Sequence, residues 1–167
     1  MENNTAFTVF LVDDDKMYLK AAQTQLLQQK KINIKTFSSG EECLKNLHLN
    51  PNIVFLDYSL DSEDANAKNG IQILKKIKAV NENINIVMLS GQAKLEVAVE
   101  AMKNGAYDYV MKNEDAHLRI QNIITNLLKN ISLENKLKKQ KKMNTILIVA
   151  FVIIIIGSFF VEKLFGK

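Results

Sequence analysis

Along roughly the first 130 residues, short apolar runs alternate with stretches of helical periodicity. Phe7-Thr8-Val9-Phe10-Leu11-Val12 is apolar enough to be a strand covered on both faces, and Asp13-Asp14-Asp15 ends it. From Lys16 to Lys31, Met17, Ala21, Ala22, Leu26 and Leu27 recur at helical spacing. Ile32-Asn33-Ile34-Lys35-Thr36-Phe37 alternates, as a strand near a sheet edge does. Ser38 or Ser39 then caps a helix that carries Glu41 and Glu42 in its first turn and stops before Pro51. Ile53-Val54-Phe55-Leu56 is a third strand, and it runs directly into Asp57. After a long polar loop, Gly70 opens a helix bearing Ile71, Ile73, Leu74, Ile77 and Val80. Ile84 to Leu89 reads as a fourth strand ending at Ser90-Gly91, and Leu95, Val97, Ala98, Val99 and Met102 mark a helix closed at Asn104-Gly105. Tyr107 to Met111 is a short fifth strand followed by Lys112, and Ile120, Ile123, Ile124, Leu127 and Leu128 mark a fifth helix.

Five strand–helix units in succession predict an α/β fold in which right-handed crossovers place helices on both faces of a parallel sheet. The expected form is a flavodoxin-like, doubly wound five-stranded sheet of order 2-1-3-4-5 over residues 1–130.

Beyond residue 130 the pattern changes. Residues 131–143 are a lysine-rich linker, and Ile146 to Val161 is uncharged for 16 residues, or 18 with Asn144 and Thr145. As a helix this run is ~24–27 Å long, at the short end of a membrane span. It is apolar on all sides, with Ile153 to Ile156 consecutive, and the five-strand domain needs no further core helix. The expectation is a C-terminal transmembrane helix at 144–162 with a short tail at 163–167, serving as an anchor. Five lysines precede the run and only Lys163 and Lys167 follow it, which puts the N-terminal domain on the cytoplasmic side. No glycine or proline interrupts Ala116 to Ile156, so the fifth helix is expected to continue unbroken.

Charge follows the same division. The net charge is +4, with +6 from Lys136 onward, which leaves −2 on residues 1–135. The basic character belongs to the tail and gives no reason to expect nucleic-acid binding by the folded domain. One cysteine, Cys43, excludes an internal disulfide and reads as a buried structural thiol. Met1 to Val12 lacks the pattern of a signal peptide, and His48 and His117 read as surface residues.

The chemistry lies at the strand ends. Alone, Asp57 would read as a cap or turn residue, Ser90 as a turn residue, Lys112 as a solvated charge and Tyr109 as core. In a 2-1-3-4-5 sheet, however, strands one and three flank the switch point where such folds bind ligands. Asp13, Asp14 and Asp57 converge there, and carboxylates packed so closely repel unless a cation neutralises them. Hard oxygen donors with room for water and phosphate suit Mg²⁺. Ser90 adds a hydroxyl and Lys112 an ammonium. A carboxylate nucleophile, a metal, a hydroxyl and an ammonium make a site for a phosphoryl group. Asp15 fits better as the cap of the first helix.

Val12-Asp13-Asp14, Asp57, Ser90-Gly91 and Asp108-Tyr109-Val110-Met111-Lys112, in this order, resemble a response-regulator receiver domain of two-component signalling over residues 7 to about 130. The resemblance implies that Asp57 is the phosphoacceptor, taking its phosphoryl group from a phosphohistidine on a sensor kinase or histidine phosphotransfer protein. It implies that Asp13, Asp14, Asp57 and the backbone carbonyl of Ser59 hold Mg²⁺. Ser90 and Lys112 would bind phosphate oxygens, and Tyr109 would turn inward as Ser90 moves toward the phosphate. The chain departs from the family in two places. Asn113 stands where proline usually follows the lysine, often after a cis bond that would cost ~2.5–4 kcal/mol before asparagine. The loop from Asp57 to Gly70 is also longer than usual and carries Asp61, Glu63 and Asp64. The expected function is a membrane-tethered, single-domain response regulator that turns over no separate substrate and signals to an unidentified downstream protein. The alternative is a membrane-anchored receiver-like scaffold without the phosphorylation switch.

Overall fold

The computed structural model describes residues 7–27, 32–60, 69–92 and 94–165, with side chains described through Ile156. The chain divides into two compact units, Met1–Ile124 and Thr125–Lys167. Five parallel strands form one sheet of order β2-β1-β3-β4-β5: β1 (Phe7–Val12), β2 (Ile32–Phe37), β3 (Ile53–Asp57), β4 (Asn85–Ser90) and β5 (Asp108–Met111). The helices are α1 (Lys16–Leu26), α2 (Gly40–Lys45), α3 (Gly70–Val80), α4 (Leu95–Lys103) and α5 (Ala116–Phe165), with a 3-10 turn at Leu47–Leu49. The doubly wound flavodoxin-like fold is thus the one the strand–helix pattern predicts.

Every residue of β1 and β3 is buried, whereas β2 at the edge alternates between exposed and partly covered positions until Phe37. On one face, Phe10, Val12, Val54, Leu56, Ile86 and Met88 pack with Cys43 of α2 and Ile73, Leu74 and Ile77 of α3. Phe10 and Phe37 meet edge to face at 4.7 Å between centroids. The alternate residues of the same strands face the other layer, where α1 and the start of α5 lie side by side.

Helix starts follow the local chemistry. The Asp15 carboxylate accepts the Met17 and Tyr18 N–H groups at 2.8 and 3.1 Å and caps α1. Of the two candidate serines, Ser39 caps α2, accepting the Glu42 N–H at 3.2 Å. Asn69 caps α3 through the Gln72 N–H. Gly105, at φ +88°, supplies the left-handed residue that ends α4.

Three helix faces differ from the expectation, that of α3 only at its last residue, Val80, which is exposed. In α1 the buried positions are Leu19, Ala22 and Leu26, while Met17 and Leu27 are exposed. Leu19, Ala22 and Leu26 share the face that packs on the sheet, and position 17 lies two residues, about 200°, from Leu19 around the helix, on the outer side. In α4 only Val97 and Ala101 are buried, which leaves Leu95, Val99 and Met102 on the surface.

Cys43 is fully buried, and burial, with the Glu42 charge adding to it, pushes its thiol up to about 12. Alkylation of the native protein at neutral pH should therefore be on the order of 1000-fold slower than in denaturant. Comparable rates, read by mass spectrometry, would show that α2 opens readily.

In the second unit, Ile146 to Val149 and Phe151 to Ile156 are all exposed. No helix among the described residues is long and apolar enough to cross a membrane. The side chains of 157–162, the end of the expected span, lie outside the described residues, as do those of the tail 163–167.

Candidate functional site

The backbone ladder continues past the strand ends and fixes the residues there. Asp13 follows β1, and its N–H donates to the Phe37 carbonyl at 3.1 Å, tying it to the end of β2. Asp57 is the last residue of β3 and pairs with Leu89; the next N–H, of Tyr58, donates to the Leu89 carbonyl at 2.8 Å. Beyond β5, the Lys112 N–H donates to the Ser90 carbonyl at 2.8 Å. Three strand ends thereby deliver their side chains to one edge.

Asp13 and Asp57 are almost fully buried, at 1% and 3% exposure, and Asp14 is exposed. Carboxylate oxygens of all three lie within 4.8 Å of one another. Lys112 Nζ sits 2.6 Å from Asp13 Oδ2 and 2.6 Å from Asp57 Oδ1, bridging the buried pair. The Asp15 N–H donates to Asp13 Oδ1 at 3.1 Å, and the Ser59 N–H donates to the Asp57 carboxylate. Asn113 does not displace the lysine. The described peptide bonds are all trans, and Lys112 still reaches both carboxylates.

Burial raises the pKa of Asp13 and of Asp57 above the usual carboxylate range; Lys112 opposes this in both, while Asp57 adds to the rise at Asp13 and Asp14 adds to it at Asp57. Burial alone would lower the Lys112 ammonium, but its hydrogen bonds and charge pairing with Asp13 and Asp57 hold it raised. One ammonium among three carboxylates leaves an excess of negative charge facing an open edge. Such a donor set fits a hard divalent cation such as Mg²⁺.

The raised carboxylates set the sign of a pH effect. The native state binds protons more tightly than the unfolded chain, so these groups cost stability as pH rises from the ordinary carboxylate range through their raised values. Without divalent cation, Asp57→Asn should therefore be more stable than the parent at neutral pH, by on the order of 1 kcal/mol. That advantage should shrink as pH falls into the ordinary carboxylate range. Denaturant midpoints across pH test this, and no advantage at neutral pH would mean that Lys112 fully offsets the burial.

Ser90, 3% exposed, ends β4 one residue beyond the partner of Asp57. Its hydroxyl donates to the Gln92 carbonyl at 3.0 Å and accepts the Gln92 N–H at 3.2 Å. Half-buried Tyr109 donates its hydroxyl to that same carbonyl at 2.8 Å. The structure thus brings Asp13, Asp14, Asp57 and Lys112 together and links Ser90 to Tyr109 through the loop after β4. The Ser59 side chain is exposed. Asp61, Glu63 and Asp64 lie outside the described residues. His48 is exposed and His117 is half buried, each with ring Nδ1 at a backbone carbonyl of its own turn. Two participants carried no sequence signal: the backbone carbonyl of Gln92, and Tyr18, whose ring lies beneath Lys112.

Residues 9–124 match the family described as response regulator receiver domain. The C4-dicarboxylate transport transcriptional regulatory protein DctD of Rhizobium meliloti (strain 1021) is 31% identical over 110 residues, covering 65% of this chain and 23% of that protein. The chain therefore spans about a quarter of the length of that curated relative. The crystal structure of the receiver domain of NtrX from Brucella abortus superposes with a TM-score of 0.63 at 25% identity, covering 72% of this chain and 98% of that one. The BeF3-activated DrrB receiver domain superposes with a TM-score of 0.64 at 26% identity, covering 75% and 99%.

Proposed function

Because the chain belongs to the response regulator receiver domain family across residues 9–124, we propose that Asp57 accepts a phosphoryl group from a phosphohistidine on a sensor kinase or phosphotransfer protein. Binding of a downstream protein at a membrane surface then reads the phosphorylated state. The observation that carries this is the buried carboxylate at the end of β3 with Lys112 Nζ at 2.6 Å and two more carboxylates beside it.

In the transfer, an Asp57 carboxylate oxygen forms a bond to phosphorus while the phosphorus–nitrogen bond of the phosphohistidine breaks. The bonding pair returns to the imidazole. Lys112 shifts from the Asp57 oxygen to a phosphoryl oxygen and holds its charge. The Ser90 hydroxyl takes another phosphoryl oxygen, and Tyr109 follows through their shared loop. Asp13, Asp14 and Asp57, with the Ser59 carbonyl, would hold Mg²⁺, which when bound neutralises charge between the nucleophile and the phosphoryl oxygens.

Membrane tethering through 144–162 is the second part of the proposal. It is supported by the uncharged run Ile146 to Val161 and by the exposure of every large apolar side chain described within it. The lysines of 136–142 add attraction to anionic lipid, ~1 kcal/mol each near the surface.

The test uses the full chain in mild detergent with Mg²⁺ and a small-molecule phosphodonor, read by intact mass. The parent should gain one phosphoryl group and Asp57→Asn none. An unmodified, folded parent would leave a scaffold without the switch. After reconstitution into anionic vesicles, the chain should resist alkaline carbonate extraction; its release would remove the anchor.

A further inference from the structure

The Lys112 ammonium has a third neighbour. Its nitrogen lies over the Tyr18 ring, 4.6 Å from the centroid. Tyr18 stands in the first turn of α1, its N–H held at 3.1 Å by the Asp15 cap that immediately follows Asp13 and Asp14. The short loop that carries the acidic residues thus also fixes the backbone of the aromatic one. The side chain is half buried and lines a cavity of about 160 Å³ with Ala22, Asn113 and His117, between α1 and the start of α5.

An ammonium carries three N–H groups. Two carboxylates engage Lys112, at Asp13 Oδ2 and Asp57 Oδ1. A lysine stem is flexible and its head strongly hydrated, so a solvated third N–H would draw the head toward water. The face of an aromatic ring carries the negative end of its quadrupole and takes the place of that water.

We propose that Tyr18 is the positioning residue for Lys112: its ring holds the ammonium, partly dehydrated, between Asp13 and Asp57 and aimed at the oxygen of an incoming phosphoryl group. Tyr18 acts through the lysine and touches no reacting atom. The inference rests on the reading of Asp57 as phosphoacceptor. It requires the ring and not the phenol hydroxyl, so phenylalanine substitutes and leucine does not.

The experiment uses the full chain in mild detergent with Mg²⁺, following phosphoryl uptake from a small-molecule donor over a range of donor concentrations. Tyr18→Leu should lower the limiting rate roughly 3- to 30-fold, and Tyr18→Phe should restore it. Lysine labelled with ¹³C at Cε gives an independent readout, with the Lys112 signal assigned from its loss in Lys112→Met. The ring should shift the Lys112 ε-protons upfield in the parent and in Tyr18→Phe but not in Tyr18→Leu. A parental rate in folded Tyr18→Leu, or an unshifted Lys112 signal in the parent, overturns the proposal. Should the parent take up no phosphoryl group while its Lys112 signal is ring-shifted, the phosphoacceptor reading fails and the proposed use of the contact falls with it, though the contact stands.

Discussion

Replacing Lys112 by methionine should cost the receiver unit about 3–5 kcal/mol at neutral pH in metal-free buffer. Methionine matches the stem in size, so packing changes little and the loss is electrostatic. Asp13 and Asp57 are 1% and 3% exposed, and the ammonium lies 2.6 Å from each. Without it, two buried carboxylates face each other with Asp14 alongside. All four tyrosines lie in the first unit, at 18, 58, 107 and 109, and the chain has no tryptophan, so tyrosine fluorescence in denaturant reports this unit. Adding Asp57→Asn should recover part of the loss, because it removes one of the stranded charges; the two effects are non-additive. Mg²⁺ should recover part of it as well. A cost below about 1 kcal/mol would mean that water solvates the pair as well as the ammonium does. Phosphoryl uptake should also fall by on the order of 100-fold, as expected for loss of a preorganised charge at a developing anion.

The second large effect concerns a residue with no side chain. Gly70 opens α3 against the end of β3, and its N–H donates to the Tyr58 carbonyl at 3.0 Å. A Cβ there would collide with the Asp57 carbonyl oxygen and lie 2.8 Å from both the Tyr58 Cα and the Met88 Cε. Two of these atoms are backbone and cannot swing aside. Gly70→Ala should therefore cost about 3 kcal/mol, near the upper end for overpacking, and should slow phosphoryl uptake by shifting Asp57. Gly91→Ala is the control, since a Cβ there meets nothing within 4 Å and stability should hardly change. Equal denaturant midpoints for the two variants would show that α3 shifts aside at little cost.

Much of the site was legible because a buried strand has one grammar and its end another. The apolar runs closing at Val12 and Leu56 had to meet the sheet edge where Asp13 and Asp57 begin, and the order 2-1-3-4-5 put those edges side by side. Ser90 and Lys112 followed from the same rule. Helix faces were harder. Met17 and Leu27 fit a helical period as well as Leu19 does, and packing on the sheet, which the period does not encode, selects the Leu19, Ala22 and Leu26 face. In α4, Leu95, Val99 and Met102 compete with Val97 and Ala101 for the inward face, and periodicity does not choose between two apolar sides. Tyr18 escaped notice because its partner stands 94 positions away, on the loop after β5. Asn113 raised the cost of a cis bond after the lysine, yet the described bonds are trans and the chain still delivers Lys112 to both carboxylates.

Gln92 offers one carbonyl to two hydroxyls, from Ser90 at 3.0 Å and Tyr109 at 2.8 Å. In the proposed switch, Ser90 gives up its share when it turns to a phosphoryl oxygen, and Tyr109 keeps the acceptor alone. The quantity passed from one residue to the other is then no more than the worth of one hydrogen bond, about 1 kcal/mol, or a several-fold change in the ratio of two loop states. Carrying an equilibrium from 1:99 to 99:1 takes about 5.5 kcal/mol. On that proposal the loop after β4 would work as a rheostat, and a downstream protein would have to supply the remaining free energy by preferring one loop state when it binds.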